Sequence, residues 1–168
     1  MPLETSSPAQ AVGSYDLVEK IAEGGMATVF KARHQETGAL AAVKIVPAHL
    51  AKNPVLLKRF EQEYTVAKTL DHENIIRALE FGQTGGCPYL VMEYVDGESL
   101  GDLLERAGRL ELSEALRIGI SVLNALLNAL DYSHENIVHR DIKPSNILLD
   151  KHGFPYLGAV NSGLMPSQ

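Results

Sequence analysis

The segment "HRDIKPSNILLD", residues 139–150, brings an acid, a base and a carboxamide close together in the sequence. Asp141 can orient an attacking hydroxyl or accept its proton, Lys143 can neutralise a transferring phosphoryl group, and Asn146 can give a metal ion an oxygen ligand. The alternative is a polar loop in which Asp and Asn are ordinary turn formers. The complete ordered string favours phosphoryl transfer over that alternative.

The composition is that of one ordinary globular domain, with 168 residues of which 45% are hydrophobic and 21% charged. A formal charge of −6 and the lack of a long Lys/Arg run argue against a nucleic-acid partner or an anionic membrane. The single Cys87 cannot form an internal disulfide, and no apolar stretch of about 18 residues indicates a membrane segment. We therefore expect a soluble cytoplasmic protein.

Short β-like runs dominate the first half of the chain. Residues 1–13 contain two prolines and two serines without apolar periodicity, which predicts a disordered tail. Turn residues, mostly glycines, then separate five predicted strands, at 15–21, 27–33, 40–46, 75–82 and 89–95.

Three segments have helical patterns. The first begins at Asn53-Pro54, a capping residue followed by a first-turn proline, and runs to about residue 70. The others are predicted at 99–106 and 113–133. On the last, apolar residues at four-three spacing predict a core-facing stripe: Leu116, Ile120, Leu123, Leu127 and Leu130. The string "HENI" occurs at 72–75 and 134–137, and we interpret this recurrence as coincidence because the flanking sequences differ.

Two charged residues lie at positions where apolar ones are expected. Lys44 ends "AAVK" in a predicted strand, and Glu63 falls on the apolar face that the first helix forms with Leu56, Phe60, Ala67 and Leu70. A charge in such a place is costly unless an opposite charge meets it. We therefore predict that Lys44 and Glu63 form an ion pair.

The stretch "IAEGGMATVF", residues 21–30, lies between two predicted strands and is rich in small residues. Small side chains at positions 22, 24, 25 and 27 would let backbone N–H groups approach a polyphosphate. The alternative is a plain Gly-Gly hairpin turn, and taken alone the stretch favours that alternative.

In this order and at this spacing, the motifs resemble those of the eukaryotic-type (Hanks-type) serine/threonine protein kinases, over residues 15–150. The "EGGM" form of the glycine loop resembles bacterial members of that family, and the chain resembles one truncated after the catalytic loop. The resemblance implies an α+β protein-kinase-like fold: a five-stranded antiparallel N-lobe sheet with one αC-type helix, then the first helices and catalytic loop of an incomplete helical C-lobe. It implies an N-lobe and hinge at 14–95 and a partial C-lobe at 96–168. Lys143-Pro144 resembles the serine/threonine subtype.

The resemblance also implies ATP and Mg²⁺ as cofactors, with Asp141, Lys143 and Asn146 catalytic and Asn146 a metal ligand. Val29 and Ala42 would sandwich the adenine, Met92 would be the gatekeeper, and the backbone of Glu93 and Val95 would be the hinge. The full implied nucleotide set is Ile21, Ala22, Gly24, Gly25, Ala27, Val29, Ala42, Lys44, Glu63, Met92, Glu93 and Val95.

Three departures from the family pattern bear on activity. Ala22 and Ala27 replace two glycines of the loop, and no Asp-Phe-Gly follows Asn146; Ala159-Val160-Asn161 stands at its usual spacing. No Asp or Glu occurs after Asp150, so the metal site is expected to be incomplete. The chain stops at Gln168, before the helices that normally cover residues 113–133, so we also expect exposed apolar surface.

The resulting prediction is a partial serine/threonine protein kinase that transfers phosphoryl groups weakly or not at all. Its protein substrate is not indicated by the sequence. The alternatives are a pseudokinase that binds nucleotide or serves as a scaffold, and a truncated gene product.

Overall fold

The computed structural model describes residues 10–25, 27–132 and 142–158, with side chains described for all of these except 130–132. The described chain forms two compact units. One comprises residues 10–57 and 80–94, and the other comprises residues 58–79 and 95–158.

A six-stranded sheet forms most of the first unit. Its strands are β1 (Ala11–Val12), β2 (Tyr15–Glu23), β3 (Thr28–His34), β4 (Leu40–Ile45), β5 (Ala78–Thr84) and β6 (Cys87–Glu93), in the order β1-β2-β3-β4-β6-β5. The pairings from β1 to β4, and of β4 with β6, are antiparallel. The five predicted strands are all present.

The sixth strand, β1, lies within the segment predicted to be a disordered tail. Ala11 pairs with Asp16 and Val12 with Tyr15, and Val12 is only 1% exposed. The predicted tail of residues 1–13 was therefore too long at its C-terminal end, and the predicted sheet was one strand short. A two-residue strand is too short to show the alternation by which strands are recognised in a sequence.

One face of this sheet carries the core of the first unit, which consists of Val12, Tyr15, Ala32, Ala41, Val43, Tyr89 and Val91. The Tyr89 hydroxyl donates to Glu80 Oε1 at 2.7 Å. Burial, together with this hydrogen bond to a carboxylate, raises the pKa of Tyr89 to about 12. Tyr89 is therefore a neutral hydrogen-bond donor at physiological pH.

Helix α1 spans Pro54–Thr69, close to its predicted bounds. The Asn53 Oδ1 atom accepts from the backbone N–H groups of Val55 at 3.0 Å and Leu56 at 3.4 Å, which confirms the predicted cap. The buried residues of the helix are Phe60, Glu63 and Ala67, so the predicted face is the one that packs.

The second unit contains α2 (Leu100–Ala107), α3 (Leu112–Tyr132), and a three-stranded sheet of β7 (Gly97–Ser99), β8 (Ile147–Asp150) and β9 (Pro155–Leu157) in that order. A 3₁₀ turn, Pro144–Asn146, precedes β8. Ser99 and Asp102 form a reciprocal cap at the start of α2. The core of this unit consists of Leu70, Ile75, Leu100, Ile118, Val122, Ala125, Ile147, Leu149 and Leu157.

Helix α3 presents to this core a different face from the predicted one. Ile118, Val122 and Ala125 are buried. Four residues of the predicted stripe are exposed instead: Leu116 by 56%, Ile120 by 57%, Leu123 by 60% and Leu127 by 60%. The side chain of the fifth, Leu130, lies outside the described residues. The prediction that this stripe is core was wrong for this chain, because both sides of α3 are apolar and the neighbouring elements pack on the other one. The expected exposed apolar surface is therefore located on α3.

The compact units also differ from the predicted division after residue 95. Residues 58–79 belong to the second unit, although they precede β6 in sequence. Val66, Leu70 and Ile75 pack in the core of that unit, which explains the assignment. Among the described residues, no helix combines the length and the apolarity needed to cross a bilayer.

Candidate functional site

The antiparallel register places several predicted nucleotide-site residues on one face of the six-stranded sheet. Val29 lies opposite Lys44, and Ala42 lies opposite Met92. Directly opposed residues share a face, and so do alternate residues along a strand. The four side chains therefore lie on the face opposite the core of the first unit. Val29 and Ala42 are 7% and 8% exposed.

Leu90 belongs to the same face and was not predicted. It lies opposite Lys44 in the register and is 1% exposed. Its position two residues before Met92 on β6 is the sequence signal that could have identified it, because alternate residues of a strand point the same way.

Lys44 and Glu63 are both buried, at 3% exposure each. Lys44 belongs to the first unit and Glu63 to the second. Buried ionised groups are stable only with partners, and neither side chain is without one. Their mutual ion pair stays a prediction.

The glycine-rich stretch connects β2 to β3, and the N–H of Gly24 donates to the carbonyl of Ala27 at 2.9 Å. Ala22 lies opposite Val29, Ala27 is 2% exposed, and Ile21 is 43% exposed beside a register shift of β2. Gly25 is exposed and does not have a positive φ, and a Cβ built on it would meet nothing within 4 Å. The turn geometry at Gly25 therefore does not require glycine.

The predicted hinge follows the end of β6. Met92 and Glu93 are the last residues of that strand, and both are half-buried, as is Val95. Glu93 lies opposite Ala41, so its side chain is on the core face of the sheet. This placement is compatible with the backbone role predicted for Glu93, which does not need the side chain.

In the second unit, the 3₁₀ turn positions two of the three residues of the opening motif. Lys143 is half-buried and precedes the turn, and its carbonyl accepts from the N–H of Asn146 at 2.9 Å. Asn146 is 4% exposed, and its carbonyl accepts from the N–H of Gly158 at 3.0 Å. Asp141 lies outside the described residues, as do Asn161 and Ala159-Val160.

Asp150 shapes the hairpin between β8 and β9. Its Oδ1 atom accepts from the backbone N–H groups of His152 at 2.8 Å and Phe154 at 2.9 Å. The hydrogen bond from Phe154 lowers the pKa of Asp150. Asp150 therefore acts as a turn acceptor in this hairpin.

Mg²⁺ prefers several oxygen ligands in octahedral array, and anionic oxygens hold it best. Within residues 10–25, 27–132 and 142–158, no three His, Cys, Asp or Glu side chains gather as such a set. Asn146 is the predicted ligand that falls in this range, and its buried amide has the oxygen that the metal requires. The described residues thus supply one candidate oxygen ligand, and magnesium binding stays a prediction.

Comparison with known proteins gives the family. The family model for the protein kinase domain matches residues 15–158. The chain is 37% identical over 140 residues to a probable serine/threonine-protein kinase of Clostridium perfringens, covering 83% of this chain and 20% of that protein. It is 37% identical over 142 residues to serine/threonine-protein kinase PrkC of Bacillus subtilis, covering 84% of this chain and 21% of that protein.

A solved structure agrees at the level of fold. The crystal structure of the Mycobacterium tuberculosis PknI kinase domain matches with a TM-score of 0.78 at 24% identity, covering 94% of this chain and 63% of that one. The chain spans about a fifth of the length of these two curated relatives. With the family model matched over most of its residues, the chain belongs to the protein kinase domain family.

Proposed function

We propose that this chain binds an adenine nucleotide as part of a serine/threonine protein kinase domain and transfers phosphoryl groups weakly or not at all. The observation that carries the proposal is the shared face of Val29, Ala42, Lys44 and Met92. An apolar surface beside one buried cation suits a ligand with a flat base at one end and phosphates at the other.

Each part of that face has a distinct task in the proposal. Val29 and Ala42 offer small apolar contacts to the two sides of the adenine, and Met92 limits the depth available to it. Lys44 offers its ammonium to the α- and β-phosphates. The backbone of Glu93 and Val95 hydrogen-bonds the edge of the base.

The residues proposed for phosphoryl transfer are those of the opening motif. Asp141 would accept the proton of a substrate hydroxyl, and Lys143 would neutralise charge on the transferring group. Asn146 would hold Mg²⁺, which when bound neutralises charge on the β- and γ-phosphates. Ala159-Val160-Asn161 stands at the usual position of the family's Asp-Phe-Gly, which favours weak activity and also a second candidate, a pseudokinase that binds nucleotide without turnover.

ATP is expected to raise the melting temperature of the chain, with a gain that grows with ligand excess. ATP at a concentration of about 100 times its Kd would stabilise the fold by roughly 2.7 kcal/mol. Lys44→Met keeps the apolar stem but removes the charge, so it should reduce the gain. Thermal-shift scans with and without millimolar ATP would measure both effects.

The matched control for this experiment is Lys68→Met. Lys68 is exposed in the last turn of α1, where its Nζ lies 5.6 Å from the centre of the Tyr64 ring. This variant should keep the full ATP gain. No shift in the unaltered chain at millimolar ATP would contradict nucleotide binding and leave the scaffold and truncated-product alternatives.

Gly25→Val is expected to weaken nucleotide binding without weakening the fold. The open surroundings and ordinary φ of Gly25 leave space for a side chain in the free protein. A valine would keep phosphates away from the backbone, and we expect a loss of roughly tenfold, about 1.4 kcal/mol. Titration with a fluorescent ATP analogue would give the affinity, and urea unfolding the stability.

Gly86→Ala provides the opposite pattern for comparison. Gly86 has φ 79°, a conformation that costs an L-residue about 1–2 kcal/mol. This variant should lose stability and keep its affinity per folded molecule. Unchanged affinity in Gly25→Val would show that the loop does not cover the phosphates.

The predicted ion pair of Lys44 with Glu63 can be tested by a double-mutant cycle. Lys44→Met and Glu63→Gln each leave one buried charge without its partner, so each should cost several kcal/mol, roughly 3–5. The double variant should cost less than the sum, with a coupling of about 1–3 kcal/mol in the free energy of unfolding. Additive costs would contradict the predicted ion pair, because they would show no energetic coupling between the two side chains.

A further inference from the structure

The loop between α1 and β5 carries a buried polar residue that the predicted roles do not include. Asn74 is 4% exposed. Its side-chain Nδ2 donates to the carbonyl of Pro155 at 2.8 Å, and its backbone carbonyl accepts from the N–H of Leu157 at 2.7 Å. The Asn74 N–H donates to Nδ1 of His72 at 3.0 Å, which fixes the loop locally. Asn74 thus holds both ends of β9.

The same loop continues along β9 as a strand-like partner. The N–H of Ile76 donates to the carbonyl of Leu157 at 3.0 Å, and Ile75 forms a parallel bridge with Leu157. Strand β9 therefore has β8 on one side and the loop on the other. All of these residues belong to the second compact unit.

Strand β9 is in turn connected to the predicted metal ligand. Leu157 lies opposite Ile147, the residue after Asn146. The N–H of Gly158, which directly follows β9, donates to the Asn146 carbonyl at 3.0 Å. The backbone of Asn146 is thus hydrogen-bonded to the residue that follows β9, the strand that Asn74 holds.

An apolar residue would fill the place of Asn74 at lower desolvation cost, so the amide calls for a specific reason. Strand β9 has three residues and β8 has four, and such short strands have few hydrogen bonds to define their register. A slip of one residue would reverse every side chain of β9. The bond from the Asn74 amide to the Pro155 carbonyl opposes that slip, because a shift of one residue would break it and Pro155 has no N–H with which to hold the ladder itself.

We propose that Asn74 is a positioning residue: it fixes the register of β9 and thereby the placement of Asn146 for metal–nucleotide binding. This inference rests on the proposed function in its metal-binding part. It makes the α1–β5 loop, far from the opening motif in sequence, a determinant of metal affinity.

The test compares Asn74→Ala with Asn53→Ala. Both remove an asparagine that makes side-chain hydrogen bonds, and the Asn53 variant loses only the cap of α1. The first readout is amide hydrogen exchange. We expect about tenfold faster exchange at Leu157 and Gly158 in Asn74→Ala, with Val43 and Val91 unchanged, and no change at Leu157 or Gly158 in the control.

The second readout is the affinity for Mn²⁺ in the presence of ADP. The electron paramagnetic resonance signal of free Mn²⁺ measures this affinity. Loss of an outer-shell contact typically costs about 10–100-fold in metal affinity. Asn74→Ala should show a loss near the lower end of this range, while ADP affinity measured in EDTA stays unchanged. Asn74→Ser, which keeps a donor, should recover part of the loss and serves as the milder variant if Asn74→Ala does not fold.

The outcomes separate this inference from the function on which it rests. If the unaltered chain binds Mn²⁺ and ADP and the Asn74 variants bind them equally well, the inference is wrong and the proposed function stands. If the unaltered chain binds neither, the proposed function fails, and the hydrogen-exchange comparison decides whether Asn74 positions the Asn146 backbone. Equal exchange in Asn74→Ala and Asn53→Ala would overturn that positioning role.

Discussion

Incubated with radiolabelled ATP and a generic basic protein, the chain is expected to transfer phosphate at least about 100-fold more slowly than the roughly 1 per second of ordinary protein kinases. Transfer depends on metal ions that neutralise the charge of the β- and γ-phosphates. The metal ligand set is predicted to be reduced. Asn146 offers a neutral oxygen, Asn161 is a second candidate of the same kind, and no carboxylate follows Asp150.

The assay needs an Asp141→Ala control and should be run in Mg²⁺ and in Mn²⁺. Asp141 is the predicted proton acceptor, so its removal should abolish any true turnover while contaminating kinases remain unaffected. Equal, near-background rates in the chain and the control are the expected result. Turnover near 1 per second that disappears in Asp141→Ala would show that other groups hold the metal.

Gly97→Ala is expected to lower the free energy of unfolding strongly, although it adds only one methyl group. A Cβ built on Gly97 would clash with the carbonyl oxygen of Leu149 and lie 2.8 Å from the Cα of Asp150. Both atoms belong to the backbone of β8, which pairs with β7 at this point, so no side-chain rotation can relieve the clash. Strands β7 and β8 would have to separate, at a cost of about 3 kcal/mol or more.

Urea unfolding would measure this loss, with Gly101→Ala as the matched control. Gly101 lies in α2, and the nearest atoms to a Cβ built there are at 3.4 Å. Alanine is favoured over glycine in a helix by up to about 1 kcal/mol, and less in the first turn where Gly101 lies, so the control should be neutral or slightly stabilised. A Gly97→Ala variant as stable as the control would mean that β7 and β8 can separate at little cost.

The sequence predicted the three helices and five strands of the first sheet because local signals mark them, whereas the short strands β1, β7, β8 and β9 were not predicted. Asn53-Pro54 began α1 as expected, and four-three spacing identified its packed face. The same spacing misled on α3, where Leu116 and Leu123 mark one apolar stripe and Ile118 and Val122 another. Periodicity shows that such stripes exist, but only the neighbouring elements determine which of them becomes buried.

The candidate site was predictable where a residue conflicted with its surroundings. Lys44 and Glu63 were identified as charges in apolar patterns, and both are buried. Leu90 and Asn74 did not conflict with their local sequence in that way. Leu90 needed the strand register, and the importance of Asn74 depends on contacts with a strand at the far end of the chain.

The hydrogen bond between Asn74 and Pro155 joins residues 81 positions apart, which has a consequence for synthesis on the ribosome. At about 5–20 residues per second, roughly 4–16 s pass between the addition of these two residues. The hairpins of the first unit connect near neighbours in the chain and can close during that time. Leu70 and Ile75 must wait for β8 and β9, so the nascent chain carries an apolar segment that chaperones can recognise until β9 emerges.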